Sequence, residues 1–297
     1  KQGEIFFLEN LRFYKEEEEN NPIFAHALSD LADVYVNEAF SNSHRKHASM
    51  DAITHFLPSL PGLQLEKEVN YLHHALHPAH PSVWILGGGK WDKVDLVKVA
   101  FKTADYVLIG GALAFSFLKA QGISIGMSKT NTESITAAKR ILHQLSKKEL
   151  EKIILPLDFR AAEQFSITAK AKTVDVNHIS VSDICLDLGP KTIEYFKRYL
   201  RKAKTIVWNG PLGYFEWTQY SKATAEIGRA IAQLTATSIC GGGETTEVLD
   251  KFYLTSRMSH VSSGGGAFLS YLTGKELPAL KALEKNYLHW KKRLKSM

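Results

Sequence analysis

The chain has 297 residues, of which 44% are hydrophobic and 23% are charged. This composition is typical of a globular protein with a sizeable core and excludes wholesale disorder. No apolar run approaches the roughly 18–20 residues that a membrane-spanning helix requires. The formal charge of +6 indicates anionic partners, such as phosphates, nucleic acid or a membrane surface. Most of that excess lies after residue 280, so elsewhere anion affinity must come from individually placed groups.

The first part of the chain contains short elements and a basic segment. Residues 16–19 form an acidic run, which predicts a solvated loop or the start of a helix. The apolar spacing of residues 23–33 predicts an amphipathic helix, and residues 34–37 predict a strand. Residues 38–49 follow and are rich in histidine and arginine. Because the chain begins at Lys1, with neither an initiator methionine nor a signal-peptide pattern, we interpret it as a fragment.

A longer helix is predicted over residues 63–76, where Leu65, Val69 and Leu72 form an apolar stripe between proline breaks. Such a helix is a natural connector between two domains. Its end carries a histidine cluster, for which no nearby cysteine or carboxylate completes a set of metal ligands. The cluster consists of His73, His74, His77 and His80. We interpret it as a partly exposed helix end.

Short apolar runs alternate with segments of helical spacing in the rest of the chain. The runs that lead into glycine-rich turns are residues 83–86, 106–109, 205–208, 237–240 and 259–262, and a further run, residues 153–157, ends without glycine. Runs of this length fit strands buried on both faces of a parallel, doubly wound α/β sheet. Ligands bind such sheets at the carboxyl ends of the strands. Glycine lets backbone N–H groups approach an anion closely, so the turns predict a polyphosphate site.

Other classes of protein are disfavoured. The sequence contains neither the GxxxxGK[ST] phosphate loop nor the GxGxxG dinucleotide fingerprint. Cys185 and Cys240 are isolated and are interpreted as buried thiols in a reducing compartment. The hypothesis of a basic nucleic-acid-binding protein would rest on net charge alone, because the sequence contains no nucleic-acid recognition motif.

An ordered set of blocks resembles the phosphoglycerate kinase family. The blocks are residues 8–13, 35–40 with 44–49, 85–90, 109–111 with 117–119, 187–190, 207–216, 241–245 and 260–267. No single block is specific, but all of them occur in the family's order. The resemblance implies reversible phosphoryl transfer from 1,3-bisphosphoglycerate to Mg-ADP, giving 3-phosphoglycerate and ATP. It also implies a monomeric, cytoplasmic enzyme of glycolysis whose partners are these small molecules, with no nucleic acid and no membrane.

The family has two Rossmann-like, three-layer α/β/α domains with parallel sheets, joined by a hinge helix. On this chain the resemblance implies a partly present N-terminal, phosphoglycerate-binding domain at residues 1–62 and the hinge helix at residues 63–77. It implies the nucleotide-binding domain at residues 78–262, and a segment that returns to the N-terminal domain at residues 263–297. The family's opening strand lies upstream of the first block. A sequence fragment, a true truncation and an enzyme split over two chains are all open explanations.

The resemblance assigns roles to the basic side chains. Arg12 and Arg45 match phosphoglycerate-binding arginines, whose planar forks suit phosphate and carboxylate oxygens. His47 matches a histidine near that site. Lys90 is expected to contact the nucleotide and, with Arg45, to be catalytic, because it would stabilise charge on the transferring phosphoryl group. The turn expected to hold that group, at the start of the final helix, consists of Gly264, Gly265 and Gly266.

The implied nucleotide site lies in the later blocks. Glu216 matches the carboxylate that accepts hydrogen bonds from the ribose, and Asn209 matches a phosphate-contacting amide. The remaining loop positions are Gly110, Gly111, Leu212, Gly241, Gly242, Gly243 and Thr245. Glu244 stands where the family usually has an aspartate that helps to hold Mg²⁺, so normal metal geometry is in question. The family's second lysine would fall at position 94, which is valine here, although Lys93 is one residue away.

Two alternatives follow from the departures and from the C-terminus. If Glu244 and the absent upstream strand abolish transfer, the chain is a non-catalytic, nucleotide-binding homologue. The C-terminal residues show an apolar stripe that predicts an amphipathic helix docked on the protein, or, as the less favoured reading, on a membrane surface or partner. The stripe consists of Leu280, Leu283, Tyr287, Trp290 and Leu294.

Overall fold

The computed structural model describes residues 3–89 and 94–295. The chain divides into two compact units. Unit 1 comprises residues 1–70 and 274–297, and unit 2 comprises residues 71–273. Each unit is described by itself below.

Unit 1 is built from short elements. In chain order they are α1 (Lys15–Glu18), α2 (Pro22–Ser29), β1 (Tyr35–Asn37), β2 (Ser59–Pro61), the first part of α3 (Leu63–Leu76), and α12 (Pro278–Lys295). Strands β1 and β2 pair in parallel. Helix α2 begins where the Asn21 side chain accepts hydrogen bonds from two backbone N–H groups and Pro22 takes the first helical position. It ends at Ser29 rather than at residue 33, and Leu31 is exposed, so no buried face supports the longer helix that the sequence predicted.

Helix α12 docks on unit 1 through a face that differs from the predicted stripe. Its buried side chains are Ala279, Ala282, Leu283 and Asn286. Of the predicted stripe, Leu283 is buried, Leu280 and Trp290 are partly buried, and Tyr287 is 56% exposed. The side chain of Leu294 lies outside the described residues. The predicted stripe was wrong at Tyr287. The buried face of α12 instead consists largely of small residues and Asn286, which let the helix approach the rest of unit 1 more closely than large apolar side chains would.

Asn286 is that anchor. Its Nδ2 donates to the backbone oxygens of Thr54, at 2.5 Å, and Leu57, at 2.8 Å. Its Oδ1 accepts from the backbone N–H of Ser59 at 2.9 Å. One buried side chain therefore satisfies the backbone groups that lead into β2.

Unit 2 contains a parallel sheet flanked by helices. Its sheet strands are β3 (Ser82–Leu86), β4 (Tyr106–Ile109), β5 (Ile153–Ile154), β9 (Thr205–Asn209), β10 (Thr237–Gly241) and β11 (His260–Ser262). The order across the sheet is β11-β10-β9-β3-β4-β5, with every neighbouring pair parallel. Trp84 on β3 and Trp208 on β9 are fully buried. The predicted parallel α/β architecture is thus confirmed.

Helices connect these strands. They are the end of α3, α4 (Val94–Thr103), α5 (Gly111–Ala120), α6 (Thr132–Gln144), α7 (Lys147–Leu150), α8 (Pro190–Leu200), α9 (Lys222–Ala232), α10 (Gly243–Lys251) and α11 (Gly266–Leu272). Helix α8 begins at Pro190, and the buried Asp158 carboxylate accepts from the backbone N–H groups of Lys191 and Thr192, at 3.1 and 2.8 Å. A carboxylate at a helix N-terminus also complements the helix dipole.

A second sheet was not predicted. Strands β6 (Asp158–Ala162), β7 (Lys172–Asp175) and β8 (Ile184–Leu188) form an antiparallel sheet in the order β7-β6-β8. The single strand predicted over residues 153–157 is wrong beyond Ile154. Pro156 lacks a backbone N–H for a ladder, and the N–H groups of Leu157 and Asp158 donate instead to Thr192 Oγ1, both at 3.0 Å.

The remaining sequence predictions for unit 2 concern cysteines, histidines and membrane spans. Cys185 and Cys240 are buried and unbridged, as predicted, and burial raises the pKa of the Cys240 thiol to about 12. His73, His74 and His77 are exposed at the end of α3. Across the described residues, no helix is both long and apolar enough to span a membrane.

Replacing Asn286 tests the docking of α12. We expect Asn286→Ala to lower the free energy of unfolding by about 2–3 kcal/mol, because it leaves buried backbone groups without partners. The exposed neighbour Lys285→Ala is the matched control and should change stability by less than about 0.5 kcal/mol. Denaturant unfolding followed by circular dichroism measures both, and equal midpoints for the two variants would contradict the anchoring role.

Candidate functional site

The carboxyl ends of the central strands of unit 2 are joined by backbone hydrogen bonds. The N–H of Gly87 donates to Asn209 O at 2.9 Å, and the N–H of Gly88 donates to Pro211 O at 2.7 Å. The N–H of Gly111 donates to Leu212 O at 3.2 Å. We call residues 87–89, 110–111, 209–213 and 241–243 the glycine edge. Its first three loops form one continuous backbone surface.

The glycines of this edge serve two different purposes. A Cβ on Gly87 would lie 2.1 Å from Pro211 O, one on Gly110 would lie 2.5 Å from the Leu212 side chain, and one on Gly241 would meet the Phe268 ring at 2.4 Å. Packing alone therefore requires glycine at these positions. A Cβ on Gly243, by contrast, would meet nothing within 4 Å. The backbone there borders open space that a ligand can occupy.

The turn after β10 is held by Thr245, in the first turn of α10, and by Asn209, at the end of the neighbouring strand β9. Thr245 Oγ1 accepts from the N–H of Gly210 at 2.7 Å and donates to Gly241 O at 2.9 Å. Asn209 Nδ2 donates to the same oxygen at 2.7 Å. Asn209 Oδ1 is buried and has no hydrogen-bond partner among the residues that the structure describes. Since a buried polar atom normally finds a partner, this oxygen is a candidate ligand contact.

Gly242 and Glu244 complete that turn. Gly242 has a φ of +98° and caps helix α10, a conformation that side chains rarely adopt. Glu244 lies in the first turn of α10, where a carboxylate is favoured by the helix dipole.

Glu216 is exposed and lies beside an aromatic group that the sequence prediction missed. Phe165 and Trp217 have ring centroids 4.7 Å apart, Phe165 and Tyr214 5.2 Å, and Tyr214 and Trp217 4.7 Å. Phe165 is 56% exposed. It follows β6, far from Glu216 in sequence, so only the antiparallel sheet brings it to Tyr214 and Trp217. A partly exposed aromatic surface of this kind suits a flat ring system.

Asp187 supports the loop that carries Glu216. Its carboxylate accepts from the backbone N–H groups of Leu188, at 2.9 Å, and Ala223, at 3.0 Å, the second in the first turn of α9. A Cβ on Gly213 would lie 2.1 Å from Asp187 Oδ1, so loop and carboxylate are packed together. Burial raises the pKa of Asp187 to about 8, and the backbone N–H groups that donate to it oppose that rise.

Unit 1 carries a separate group of basic side chains. Arg12 Nη2 donates to Asn42 Oδ1 at 2.7 Å, and the backbone N–H of Arg45 donates to Asn42 O at 2.9 Å. The pKa of His44 is lowered by burial and then by Arg45, His47 and Arg12, so both arginines are electrostatic neighbours of His44. We call Arg12, His44 and Arg45 the basic cluster.

His47, which the sequence placed near this site, has a different neighbour. Its Nδ1 lies 3.7 Å from Oε1 of Glu17. Residues 16–18 lie in helix α1, which confirms the helix-start alternative for the acidic run, but Glu17 is only 3% exposed and is therefore not solvated. His44, which the sequence prediction did not include, is acted on by Arg45, His47 and Arg12, and the placement of His47 near the site stays a prediction. The position of His44 between Asn42 and Arg45 in a basic segment was the available sequence signal.

The remaining predicted parts of the site are the two lysines and the glycine turn at residues 264–266. Lys90 and Lys93 lie outside the described residues. The turn of Gly264, Gly265 and Gly266 leads into α11, which is followed by α12 and is therefore not the final helix. The N–H of Gly264 donates to Ser262 Oγ at 3.1 Å, and Gly265 has a φ of +48°.

The fold and these sites define an α/β protein whose parallel sheet presents glycine loops at the carboxyl ends of its strands, the usual ligand-binding edge. A sequence model of the phosphoglycerate kinase family matches residues 1–275. The chain belongs to this family.

Individual relatives agree. The chain is 46% identical over 287 residues to the phosphoglycerate kinase of Chlorobium phaeobacteroides, covering 95% of this chain and 72% of that protein. It is 42% identical over 286 residues to that of Pseudothermotoga lettingae, with the same coverage. Among solved structures, the phosphoglycerate kinase of Coxiella burnetii has a TM-score of 0.87 and 39% identity, covering 93% of this chain and 72% of that one. That of Pyrococcus horikoshii has a TM-score of 0.81 and 32% identity, covering 97% and 74%.

Two glycines of the edge provide a matched test of packing. We expect Gly241→Ala to lower the free energy of unfolding by about 1–3 kcal/mol, because its methyl group would overlap the Phe268 ring. Gly243→Ala should be neutral or slightly stabilising, since alanine is the better helix former and meets no atoms. Thermal unfolding of the two variants distinguishes these outcomes. A similar loss of stability in both variants would contradict the difference in packing between Gly241 and Gly243.

Asp187 predicts a pH dependence of stability. The folded state retains a proton on Asp187 up to about pH 8, whereas the unfolded carboxyl releases it near its ordinary pKa of 3.8. Folded protein therefore binds more protons in this window, and stability should fall as pH rises from about 4 to about 8. Asp187→Asn should remove this part of the slope. Denaturant unfolding at several pH values measures how the free energy of unfolding changes with pH. The same change with pH in wild type and in Asp187→Asn would refute the raised pKa.

Proposed function

We propose that the chain carries out the phosphoglycerate kinase reaction, the reversible transfer of a phosphoryl group from 1,3-bisphosphoglycerate to ADP. The observation that carries this proposal is the match of the family over residues 1–275. We further propose a monomeric, cytoplasmic enzyme of glycolysis whose partners are these small molecules, with unit 1 binding phosphoglycerate and unit 2 binding the nucleotide.

The basic cluster supports the proposed phosphoglycerate site. Arg12 and Arg45 both act electrostatically on His44, and planar guanidinium forks bind phosphate and carboxylate oxygens through paired hydrogen bonds. His44 adds a ring whose pKa is already lowered by these charges. A neutral imidazole there can donate one hydrogen bond to an anion without adding to the repulsion between the arginines.

The glycine edge supports the proposed nucleotide site. Glu216 is exposed and can accept hydrogen bonds from ribose hydroxyls, and the aromatic surface of Phe165, Tyr214 and Trp217 offers a face for a base ring. Asn209 Oδ1 and the open backbone at Gly243 suit the phosphate end.

The transfer step would depend mainly on positioning and charge stabilisation, because phosphoryl transfer needs little covalent chemistry from a protein. We assign charge stabilisation on the transferring group to Lys90, Arg45 and the amides of the turn at Gly264, Gly265 and Gly266. Gly110, Gly111, Leu212, Gly241, Gly242 and Thr245 shape the loops around the nucleotide.

Magnesium is the proposed metal, bound with the nucleotide. The chemistry of the donors fits: Glu244 provides a carboxylate in the first turn of α10, and Mg²⁺ prefers oxygen ligands. When bound, Mg²⁺ would neutralise charge on the nucleotide phosphates. Glutamate reaches one methylene further than the aspartate that the family usually has at this position.

The test is a coupled assay of ATP formation from 1,3-bisphosphoglycerate and Mg-ADP with the purified chain, beside a control phosphoglycerate kinase. Turnover supports the proposal. Binding of ADP without any transfer, under conditions in which the control is active, would overturn it in favour of a non-catalytic nucleotide-binding protein.

A basic-cluster variant separates the two ligand sites. We expect Arg45→Ala to raise KM for 1,3-bisphosphoglycerate by about tenfold or more, since a charged hydrogen-bond donor is lost, and to leave KM for ADP unchanged. The exposed neighbour Lys46→Ala is the control and should change neither. Equal effects of Arg45→Ala on both KM values would argue against the assignment to phosphoglycerate.

A further inference from the structure

Glu17 is unusual among its neighbours. It lies in an acidic run whose other members, Glu16, Glu18 and Glu19, are exposed, yet Glu17 itself is 3% exposed. Burying a carboxylate is costly unless it is paired and hydrogen-bonded. A buried glutamate on a one-turn helix therefore needs a structural reason.

Both side-chain hydrogen bonds of Glu17 go to one segment. Glu17 Oε1 accepts from Ser49 Oγ at 2.6 Å, and Oε2 accepts from the backbone N–H of Ser49 at 2.9 Å. His47 Nδ1 lies 3.7 Å from Oε1. The backbone oxygen of Glu17 also accepts from the N–H of Ala48 at 2.9 Å. Glu17 is thus bound to three consecutive residues.

These contacts join the two halves of the basic cluster. Glu17 follows Arg12 closely in the chain, and residues 47–49 directly follow His44 and Arg45. A second link runs alongside: Asn20 Nδ2 donates to Asp51 Oδ2 at 2.8 Å, and Asn20 Oδ1 accepts from the N–H of Ala52 at 3.1 Å. Within the cluster itself, Arg12 is held by the side chain of Asn42.

We propose that Glu17 is a positioning residue for the anion site of unit 1, which fixes the separation of Arg12 from His44 and Arg45 and so sets the affinity for the phosphorylated carboxylate. This inference rests on the function proposed above. Two arginines repel each other, so an anion is bound well only when the fold holds both forks at the required spacing before binding. Both Glu17 carboxylate oxygens already have partners in residues 47–49.

The primary test uses Glu17→Gln, which keeps the shape of the side chain but removes its charge and replaces one acceptor with a donor. The matched controls are Glu16→Gln and Glu18→Gln, which remove the same charge from exposed positions on the same turn. We expect Glu17→Gln to weaken binding of 3-phosphoglycerate by about tenfold, measured by calorimetry, and to leave ADP binding unchanged. Both controls should bind like wild type.

A second measurement separates positioning from general destabilisation. The titration of His44, followed by NMR, reports the closeness of Arg45, His47 and Arg12, which lower its pKa together with burial. If Glu17 positions the arginines, the pKa of His44 should rise toward its ordinary value in Glu17→Gln. A purely structural role would lower the unfolding temperature and leave that pKa in place. Ser49→Ala removes a single hydrogen bond. It should weaken binding of 3-phosphoglycerate and raise the pKa of His44, each by less than Glu17→Gln does.

The outcomes distinguish the two proposals. If wild-type protein fails to bind 3-phosphoglycerate, the proposed function fails, and the His44 titration still decides whether Glu17 positions the cluster. Equal affinities of wild type and Glu17→Gln, or an unchanged His44 pKa in a destabilised Glu17→Gln, would overturn the positioning role.

Discussion

The backbone contact between the turns after β3 and β9 is the constraint on which the rest of the glycine edge depends. The N–H groups of Gly87 and Gly88 donate to oxygens of Asn209 and Pro211, and this leaves no space for a Cβ on Gly87. Because β3 and β9 are neighbours at the centre of the sheet, joining their turns fixes the floor of the edge. The turn after β10 is then tied to the end of β9, because Asn209 Nδ2 donates to Gly241 O and the N–H of Gly210 donates to Thr245 Oγ1 of α10.

Buried acidic side chains have different hydrogen-bond partners in the two units. In unit 2, buried carboxylates are used to begin helices: Asp158 accepts from the first turn of α8, and Asp187 from the first turn of α9. In unit 1, the buried Glu17 binds a loop rather than a helix start. In each case a buried carboxyl group accepts hydrogen bonds from backbone N–H groups and so fixes the backbone around it.

Several features could be predicted from the sequence because they depend on local patterns. The apolar runs that became β3, β4, β9 and β10 were placed within a residue of their observed bounds, and α3 was placed at residues 63–76, because buried strands and amphipathic helices carry their own periodicity. The features that were missed depend on distant residues. The buried face of α12 was shifted because Asn286, a polar residue, meets backbone groups near β2, and no helical periodicity shows which polar residue will find partners.

The sequence by itself determined the parallel α/β class, the order of the strand and glycine units, and, through its resemblance to a family, which residues to examine. Only the tertiary structure decided the purpose of each residue. It separated Gly87, Gly110 and Gly241, which are needed for packing, from Gly243, which faces open space. It placed His44 in the field of Arg45, His47 and Arg12, brought His47 to Glu17, and brought Phe165 to Tyr214 and Trp217. The physical reason is that burial and hydrogen-bond partners are properties of the folded chain, whereas propensity and periodicity belong to each segment alone.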